Sequence, residues 1–409
     1  MTLIQNTRRM FRKYPAQFWL LFFGMLVSTI GTSMVWPFLT IYIRQTLNVP
    51  LTTIAGLITL SSVCSLISSS FVGQLSDRFG RKSIMVFSLL VNGLTFYLFS
   101  QATTLTHFAI LMAVRGLIIR LYRIAADALV ADMLPPEERL EAYSFMRMAN
   151  NTGIAIGPAI GGFLAATSYD IAFYLAAGVL LLFGLAILTA LKDVPTAAPA
   201  AKTEGKPRER KLLGPVLRDK RFVTFSAAYI LTRVASILVF SLLAVYAKEN
   251  FGVPENQYGF LMTINAGMVV AFQLLITRLT IKHRTFSTLA LGALFYGVGV
   301  GSIAFGSNFT TFAISIVIMT IGELLVAPTA TTTVANLAPP DMHGRYMGAF
   351  WVLVSIARAI GPMFGGLLND NISPASMWYG GGILALLGAV MFLGMARGQK
   401  TEQQDGCAN

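Results

Sequence analysis

Charged residues are scarce in this sequence. Only 12% of the 409 residues are Asp, Glu, Lys or Arg, whereas a soluble globular domain carries about 25%. Hydrophobic residues make up 55% of the chain. This balance excludes a soluble domain or a disordered chain and predicts a membrane protein.

Residues for disulfides, metal binding and nucleotide hydrolysis are also few. Cys64 and Cys407 are the only two cysteines, and the three histidines are scattered along the chain. The pattern GxxxxGK followed by Ser or Thr, which marks ATP-hydrolysing phosphate loops, does not occur. We therefore expect no disulfide framework, no metal, no other cofactor and no enzymatic activity.

Long apolar runs dominate what is present. A helix needs about 20 apolar residues to cross a bilayer, and twelve runs in this sequence meet or approach that length. We predict an all-α membrane protein with spans at residues 17–43, 52–73, 84–101, 106–132, 143–167, 172–191, 222–247, 257–280, 287–305, 310–335, 344–368 and 377–396.

The positions of Lys and Arg along the chain account for the net charge of +13. Most Lys and Arg fall in segments on one side of the predicted membrane, including 192–221, while the loops on the other side contain only Arg44 and Lys248. This is the positive-inside pattern. It predicts cytoplasmic termini in a bacterial inner (plasma) membrane, and it requires no nucleic acid.

The two halves of the sequence resemble each other, and the matching residues are separated by the same number of positions along the chain. Tyr42 and Pro50 match Tyr246 and Pro254, and the Gly-Pro segment at 157–162 matches the one at 361–366. A repeat spread over six spans predicts a duplicated six-helix unit. We predict bundles at 1–192 and 222–396, a cytoplasmic linker at 193–221 and a cytoplasmic tail at 397–409.

Two motifs add a family resemblance. GQLSDRFGRK (73–82) resembles the signature loop of the major facilitator superfamily, and GIAIGPAIGG (153–162) resembles the fifth-helix motif of its proton-coupled drug antiporters. The resemblance covers the whole chain, because the spans, the duplication and both motif positions agree with it. It implies the major facilitator fold, with two pseudo-symmetric six-helix bundles that work by alternating access.

The signature loop places an acid among cations at the membrane boundary, where a charge gains little unless it is paired. The resemblance implies that Asp77, Arg81 and Asp132 form a charge cluster that latches the halves in the outward-facing state. A solvated basic loop is the alternative. The predicted gating residues are Gly73, Asp77, Arg78, Gly80, Arg81, Lys82 and Asp132.

Small residues line one face of the predicted fifth span. Such a face lets helices approach closely, and the proline within it removes a backbone donor and permits a bend. Packing and a gating hinge both stay open for Gly153, Gly157, Pro158, Gly161 and Gly162.

Charged residues inside the predicted spans are expected to face partners or cavities, since each costs about 3 kcal/mol on insertion. The segment RGLIIRLYRIAAD (115–127) is the densest example. Asp127 follows Arg123 by four residues, which predicts an ion pair on one helix face. Arg115 matches the family's fourth-helix arginine, for which the resemblance implies a role in proton coupling.

Glu323 is the residue that we expect to couple transport to protons. Its apolar neighbours favour the protonated form unless Arg233 or Arg358 reaches it from another helix. A carboxyl between these influences can take up and release a proton. A permanent structural ion pair stays an alternative. The predicted proton-coupling residues are Glu323, Asp127 and Arg115.

The resemblance also implies that spans one, four, seven and ten line a central cavity. The first span lacks the acid that many drug antiporters of this family carry, so a cavity rich in arginine suits an anionic or zwitterionic amphiphile. The predicted cavity residues are Arg120, Arg123, Arg233, Arg358, Trp36, Phe38, Tyr122 and Tyr229.

Together these features predict a monomeric secondary transporter in the lipid bilayer that exports amphipathic small molecules in exchange for protons. Two alternatives stay open. The first is a carrier of organic anions or lipid-like amphiphiles that uses an arginine-lined cavity. The second is a membrane sensor that has the same fold but transports nothing.

Overall fold

The computed structural model describes residues 13–192, 214–280, 283–339 and 341–405, and over these ranges the protein is built from helices. The predicted linker residues 193–213 and tail residues 406–409 lie outside the described residues. The first half contains α1 (Ala16–Leu47), α2 (Leu51–Ser69), α3 (Val72–Phe79), α4 (Arg81–Gln101), α5 (Leu105–Ile118), α6 (Leu121–Met133), α7 (Pro136–Thr167) and α8 (Tyr169–Ala190). The second half contains α9 (Gly214–Arg218), α10 (Lys220–Phe251), α11 (Glu255–Thr280), α12 (Thr285–Ser302), α13 (Phe309–Leu337), α14 (His343–Asn371) and α15 (Ser376–Asp405).

Among the described residues, 10 helices are long and apolar enough to cross a membrane. They are α1, α2, α4, α8 and α10 to α15. The predicted span 106–132 is formed by α5 and α6 in succession, and the span 143–167 lies in α7, whose first half carries several charges. Twelve spans therefore stay a prediction, of which 10 meet the criterion of length and composition.

Serine hydroxyls from other helices stabilise the interruption between α5 and α6. Ile119 and Arg120 keep helical dihedral angles, but the carbonyls just before them accept hydrogen bonds from outside the helix. Ser68 donates to the carbonyl of Leu117, and Ser88 donates to that of Ile118 at 3.1 Å. A backbone carbonyl released from a helix in an apolar environment needs such a partner.

The contacts within the chain define two compact units, which do not coincide with the predicted halves. One contains the described residues of Met1–Trp36 and Cys64–Glu204, and the other those of Pro37–Val63 and Gly205–Asn409. The end of α1 and the start of α2 therefore belong with helices of the second half. The predicted domain boundaries stay a prediction.

Specific polar contacts explain why residues 37–63 join the second unit. Asp370 near the end of α14 accepts hydrogen bonds from the first backbone N–H groups of α2, at 3.2 Å from Leu51 and 2.7 Å from Thr52. A carboxylate in this position caps the helix and complements its dipole. Arg44 of α1 also pairs with Glu249 of α10 at 2.8 Å.

In the first unit, the small-residue face of α7 packs directly on α1. A Cβ atom added to Gly161 would lie 1.9 Å from the carbonyl oxygen of Met34, and one added to Gly157 would lie 2.0 Å from Ser33 Oγ. Gly153 contributes its carbonyl, which accepts a hydrogen bond from Ser33 at 2.9 Å. This geometry is typical of close helix packing, and a hinge at this face stays a prediction.

In the second unit, α10 is the most enclosed of the apolar helices. Of its most apolar segment, 78% is buried, compared with between 22% and 56% for the other nine. Val234 and Ile237 of α10 form a buried cluster with Ala357 of α14. Polar side chains that α10 carries therefore lie inside the unit.

The close packing of α1 and α7 predicts that Gly161→Ala destabilises the protein. Its methyl group would overlap the backbone of α1, and overpacking of this kind costs about 1–3 kcal/mol. Gly178→Ala on α8 is the matched control, because a Cβ atom there meets nothing within 4 Å. Thermal unfolding of the purified protein in detergent should show a lower Tm for Gly161→Ala alone. Equal Tm values for the two variants would contradict the packing.

Candidate functional site

The predicted gating cluster is assembled within the first unit. Arg81 contacts Asp77 Oδ1 at 2.5 Å through Nη1 and Asp132 Oδ2 at 3.3 Å through Nε. Its Nη1 also donates to Ser76 Oγ at 3.0 Å. Asp132 and Arg81 are 17% and 15% exposed, whereas Asp77 is 65% exposed. The inner pair, Arg81 with Asp132, is therefore the one that is shielded from solvent.

The other residues of the signature loop shape its turn and its surface. Gly80 links α3 to α4 with φ of 85° and ψ of 147°, a conformation that only glycine adopts readily. The Arg78 guanidinium lies 5.5 Å from the centre of the Phe79 ring. Gly73 is exposed and Lys82 is half-buried, so neither takes part in the inner pair.

Arg115 is the most deeply buried of the predicted coupling residues. It is 3% exposed, and its guanidinium carbon lies 4.3 Å from the ring centre of Trp36 and 5.6 Å from that of Phe96. Its Nε has no hydrogen-bond partner among the described residues. Aromatic faces therefore provide the attraction that stabilises this cation.

Arg120, Arg123 and Asp127 form a second group in the first unit. Arg123 Nε lies 3.9 Å from Asp127 Oδ2, and both side chains are about half-exposed, at 52% and 43%. Arg120 instead donates from Nε to Ser65 Oγ at 2.8 Å. The predicted ion pair between Arg123 and Asp127 is thus present but long. The hydrogen-bond partner of Arg120 is a neutral hydroxyl.

Glu323 lies in α13 within the second unit, where an amide holds it. Asn265 of α11 donates from Nδ2 to Glu323 Oε2 and to Thr320 Oγ1, both at 2.9 Å. Asn265 is 7% exposed and Thr320 is fully buried. Within the described residues Glu323 forms no direct ion pair with Arg233, whose charge nevertheless acts on it.

Arg233 acts on Glu323 electrostatically, from beyond ion-pair distance. Its charge interacts with Glu323 and with the phenols of Tyr229 and Tyr296. Arg233 also lies within side-chain hydrogen-bonding reach of Tyr296, and Tyr296 within reach of Ser236, so these side chains form a polar cluster between α10 and α12.

Three of the four predicted aromatic wall residues are buried among other rings. Phe38 contacts Tyr258 with ring centres 5.8 Å apart, Tyr122 contacts Phe183 at 5.7 Å, and Tyr229 contacts Phe350 at 4.9 Å. Such burial is typical of packing residues. Trp36, which covers Arg115, is half-buried. A role of these four residues in substrate binding stays a prediction.

The sequence profile of the Major Facilitator Superfamily matches residues 21–246 and 225–406. The chain belongs to the Major Facilitator Superfamily. It is 27% identical over 381 residues to a Na(+), Li(+), K(+)/H(+) antiporter of Planococcus maritimus, an alignment that covers 85% of this chain and 87% of the relative. It is 25% identical over 385 residues to multidrug resistance protein 2 of Bacillus subtilis (strain 168), covering 91% and 94%.

Solved structures support the fold of this Major Facilitator Superfamily protein. The crystal structure of the nucleoside transporter NupG matches with a TM-score of 0.77 at 13% identity, over 93% of this chain and 99% of that one. Identity at this level shows the fold alone. Membership and the apolar helices together make the protein a multi-pass membrane transporter.

Three residues of this superfamily member that sequence reasoning does not single out interact with the charged residues. Asn265 gave no signal because a single neutral amide is common in an apolar helix. Arg147 of α7 interacts electrostatically with Asp127. Tyr143, one turn earlier on α7, donates to the Asp127 carbonyl at 3.0 Å. The spacing of Tyr143 and Arg147 on one face of α7 was the available clue.

Within the residues that the structure describes, no group of three or more His, Cys, Asp or Glu could hold a metal ion. The charged groups of this Major Facilitator Superfamily protein are instead arranged as arginines against single carboxylates.

The unequal burial in the gating cluster predicts unequal effects of removing its two acids. Asp132→Asn weakens the ion pair that is shielded from solvent, so we expect the free energy of unfolding to fall by about 1–3 kcal/mol. Asp77→Asn removes an exposed carboxylate and should lower the free energy of unfolding by less than about 1 kcal/mol. Thermal unfolding in detergent measures both. A larger fall in Tm for Asp77→Asn would contradict the assignment of Arg81 with Asp132 as the dominant pair.

Proposed function

We propose that this protein is a proton-coupled exporter of amphipathic small molecules that works by alternating access. The observation that carries the proposal is the environment of Glu323. Its carboxylate lies in a membrane helix, accepts a hydrogen bond from a neutral amide at 2.9 Å and interacts with the charge of Arg233 without a direct ion pair between the two in the described structure.

This environment favours a proton site over a permanent ion pair. An arginine in direct contact holds a carboxylate ionised, so that it exchanges its proton only at acidic pH. Glu323 has instead a distant Arg233 and a neutral donor, a balance in which a change of hydration can decide protonation. This supports Glu323 as the coupling residue, with Asp127 and Arg115 as further proposed members of the proton pathway.

The relatives support the same class of activity. One is named as an antiporter that exchanges alkali cations for protons, and another as a multidrug resistance protein. We propose the bacterial inner membrane as the location, with cytoplasmic termini, twelve spans and a monomeric protein. The lysine and arginine bias of the loops supports the orientation.

The gating cluster has a proposed role in the transport cycle. Arg81 bridges Asp77 of α3 and Asp132 of α6, and so fixes the short helix α3 beside the end of α6. We propose that this cluster stabilises one of the alternating states, as the family resemblance implies. We further propose that the small-residue face of α7 and Pro158 allow α7 to bend during the exchange.

Glu323→Gln tests the coupling role. The glutamine keeps the shape and still accepts the hydrogen bond from Asn265 but cannot titrate. We expect proteoliposomes with this variant to lose uptake of ethidium, a cationic amphiphile, driven by an imposed pH gradient, while exchange without a gradient persists. Glu137→Gln, at an exposed acid in the first turn of α7, is the control and should transport normally. Gradient-driven uptake by Glu323→Gln at the wild-type rate would refute the assignment.

A carrier of organic anions is the second candidate, and the surplus of arginine favours it. Arg123 and Arg147 both act on one acid, Asp127. Arg120 interacts with a serine hydroxyl and with the charge of Arg123. Arg115 has no carboxylate partner among the described residues. A carboxylate on the cargo would compensate part of this positive charge.

Counterflow with amphiphiles of opposite charge separates the two candidates. If the cargo is anionic, Arg123→Gln should slow exchange of a carboxylate-bearing dye about 10-fold, the effect of losing about 1.4 kcal/mol of binding. Exchange of ethidium should change little. Lys192→Gln, at an exposed cation, controls for net charge. Exchange of ethidium but not of the anionic dye by the wild type would reject the second candidate.

A further inference from the structure

The amide of Asn265 has an orientation that its surroundings determine. Thr320 Oγ1 donates its proton to the Ile316 carbonyl at 2.6 Å, so this hydroxyl offers only lone pairs to Asn265. The amide must therefore present its nitrogen, which has two hydrogens. One goes to Thr320 and the other to Glu323 Oε2, each at 2.9 Å. The donor on Glu323 is thus directed and cannot rotate away without losing both contacts.

The other groups shown to act on Glu323 come from two further helices, α10 and α12. Arg233 and Tyr229 belong to α10 and Tyr296 belongs to α12, and all three interact electrostatically with Glu323. Arg358 of α14 acts on the same Tyr229 phenol. On α11 the polar side chain that contacts Glu323 is the neutral Asn265. The positive charges and the amide hydrogen bond both favour the ionised carboxylate, but among the groups named here the amide is the one whose hydrogen bond also fixes the direction of the side chain.

We propose that Asn265 is a positioning residue for proton coupling, which fixes the Glu323 side chain and favours its ionised form. The inference rests on the coupling role of Glu323 proposed above. A protonated Glu323 still accepts a weaker hydrogen bond through its carbonyl oxygen. Asn265 therefore holds the carboxyl in place in both protonation states.

Infrared titration of the purified protein in liposomes tests this proposal without a substrate. The carboxylic acid C=O band of Glu323 is identified by its absence in Glu323→Gln and followed against pH. Asn265→Leu removes the donor at similar volume, and we expect the titration midpoint to move up by about 1 pH unit. Asn265→Asp, which places a second carboxylate beside the first, should move it at least as far.

Gln273→Leu is the matched control. Gln273 also lies on α11 and donates an amide hydrogen to α13, at 3.2 Å to the Leu324 carbonyl, but it does not contact Glu323. Its removal should leave the midpoint unchanged. A midpoint that is unaltered in both Asn265 variants, or that moves equally in Gln273→Leu, would overturn the proposal.

The same variants separate this inference from the proposed function. If Glu323→Gln abolishes gradient-driven transport while the Asn265 variants titrate like the wild type, only the positioning role fails. If Glu323→Gln transports normally while Asn265→Leu shifts the Glu323 band, the coupling role fails, and with it the functional meaning of the contact.

Discussion

The cost of keeping a charge among apolar helices governs the arrangement of polar groups in this protein. The charged residues in or near the predicted spans are stabilised in different ways. Arg115 lies against two aromatic faces, Arg120 uses a serine hydroxyl, and Asp127 has a long ion pair with Arg123. Glu323 relies on an amide. Most of these contacts are neutral, so the charge is stabilised in position but not cancelled. Such groups stay available to a proton or a charged substrate.

The same requirement acts on the backbone. Serines of α2 and α4 satisfy the carbonyls at the interruption between α5 and α6, and Asp370 satisfies the first N–H groups of α2. Both sites join helices that are distant in sequence. The Asp370 contact also explains why the beginning of α2 belongs to the second unit. Polar contacts therefore decide where a helix is interrupted and which helices form one unit, while apolar packing provides most of the buried surface.

The fold class and the gating cluster were predictable because their signals are strong and local. Apolar runs define membrane helices, and GQLSDRFGRK carries its own geometry, including the glycine at position 80 with positive φ. The amide on Glu323 was not predictable, since one asparagine in an apolar helix has no periodicity and its partner lies on another helix. Phe38 and Tyr229 show the reverse problem. As aromatic residues in spans expected to line the cavity, they were predicted to form its wall. Aromatic residues in spans pack against each other equally well, as these two do.

Release of protons on substrate binding tests the central claim most directly. If Glu323 links the two events, binding of the cargo must change proton affinity, because coupling between two ligands is reciprocal. A pH-indicating dye in weakly buffered detergent solution would report protons as candidate amphiphiles are added to the purified protein. If Glu323 is the coupling residue, we expect release of about one proton per protein at saturation in the wild type and none in Glu323→Gln. Equal release by both proteins would contradict it.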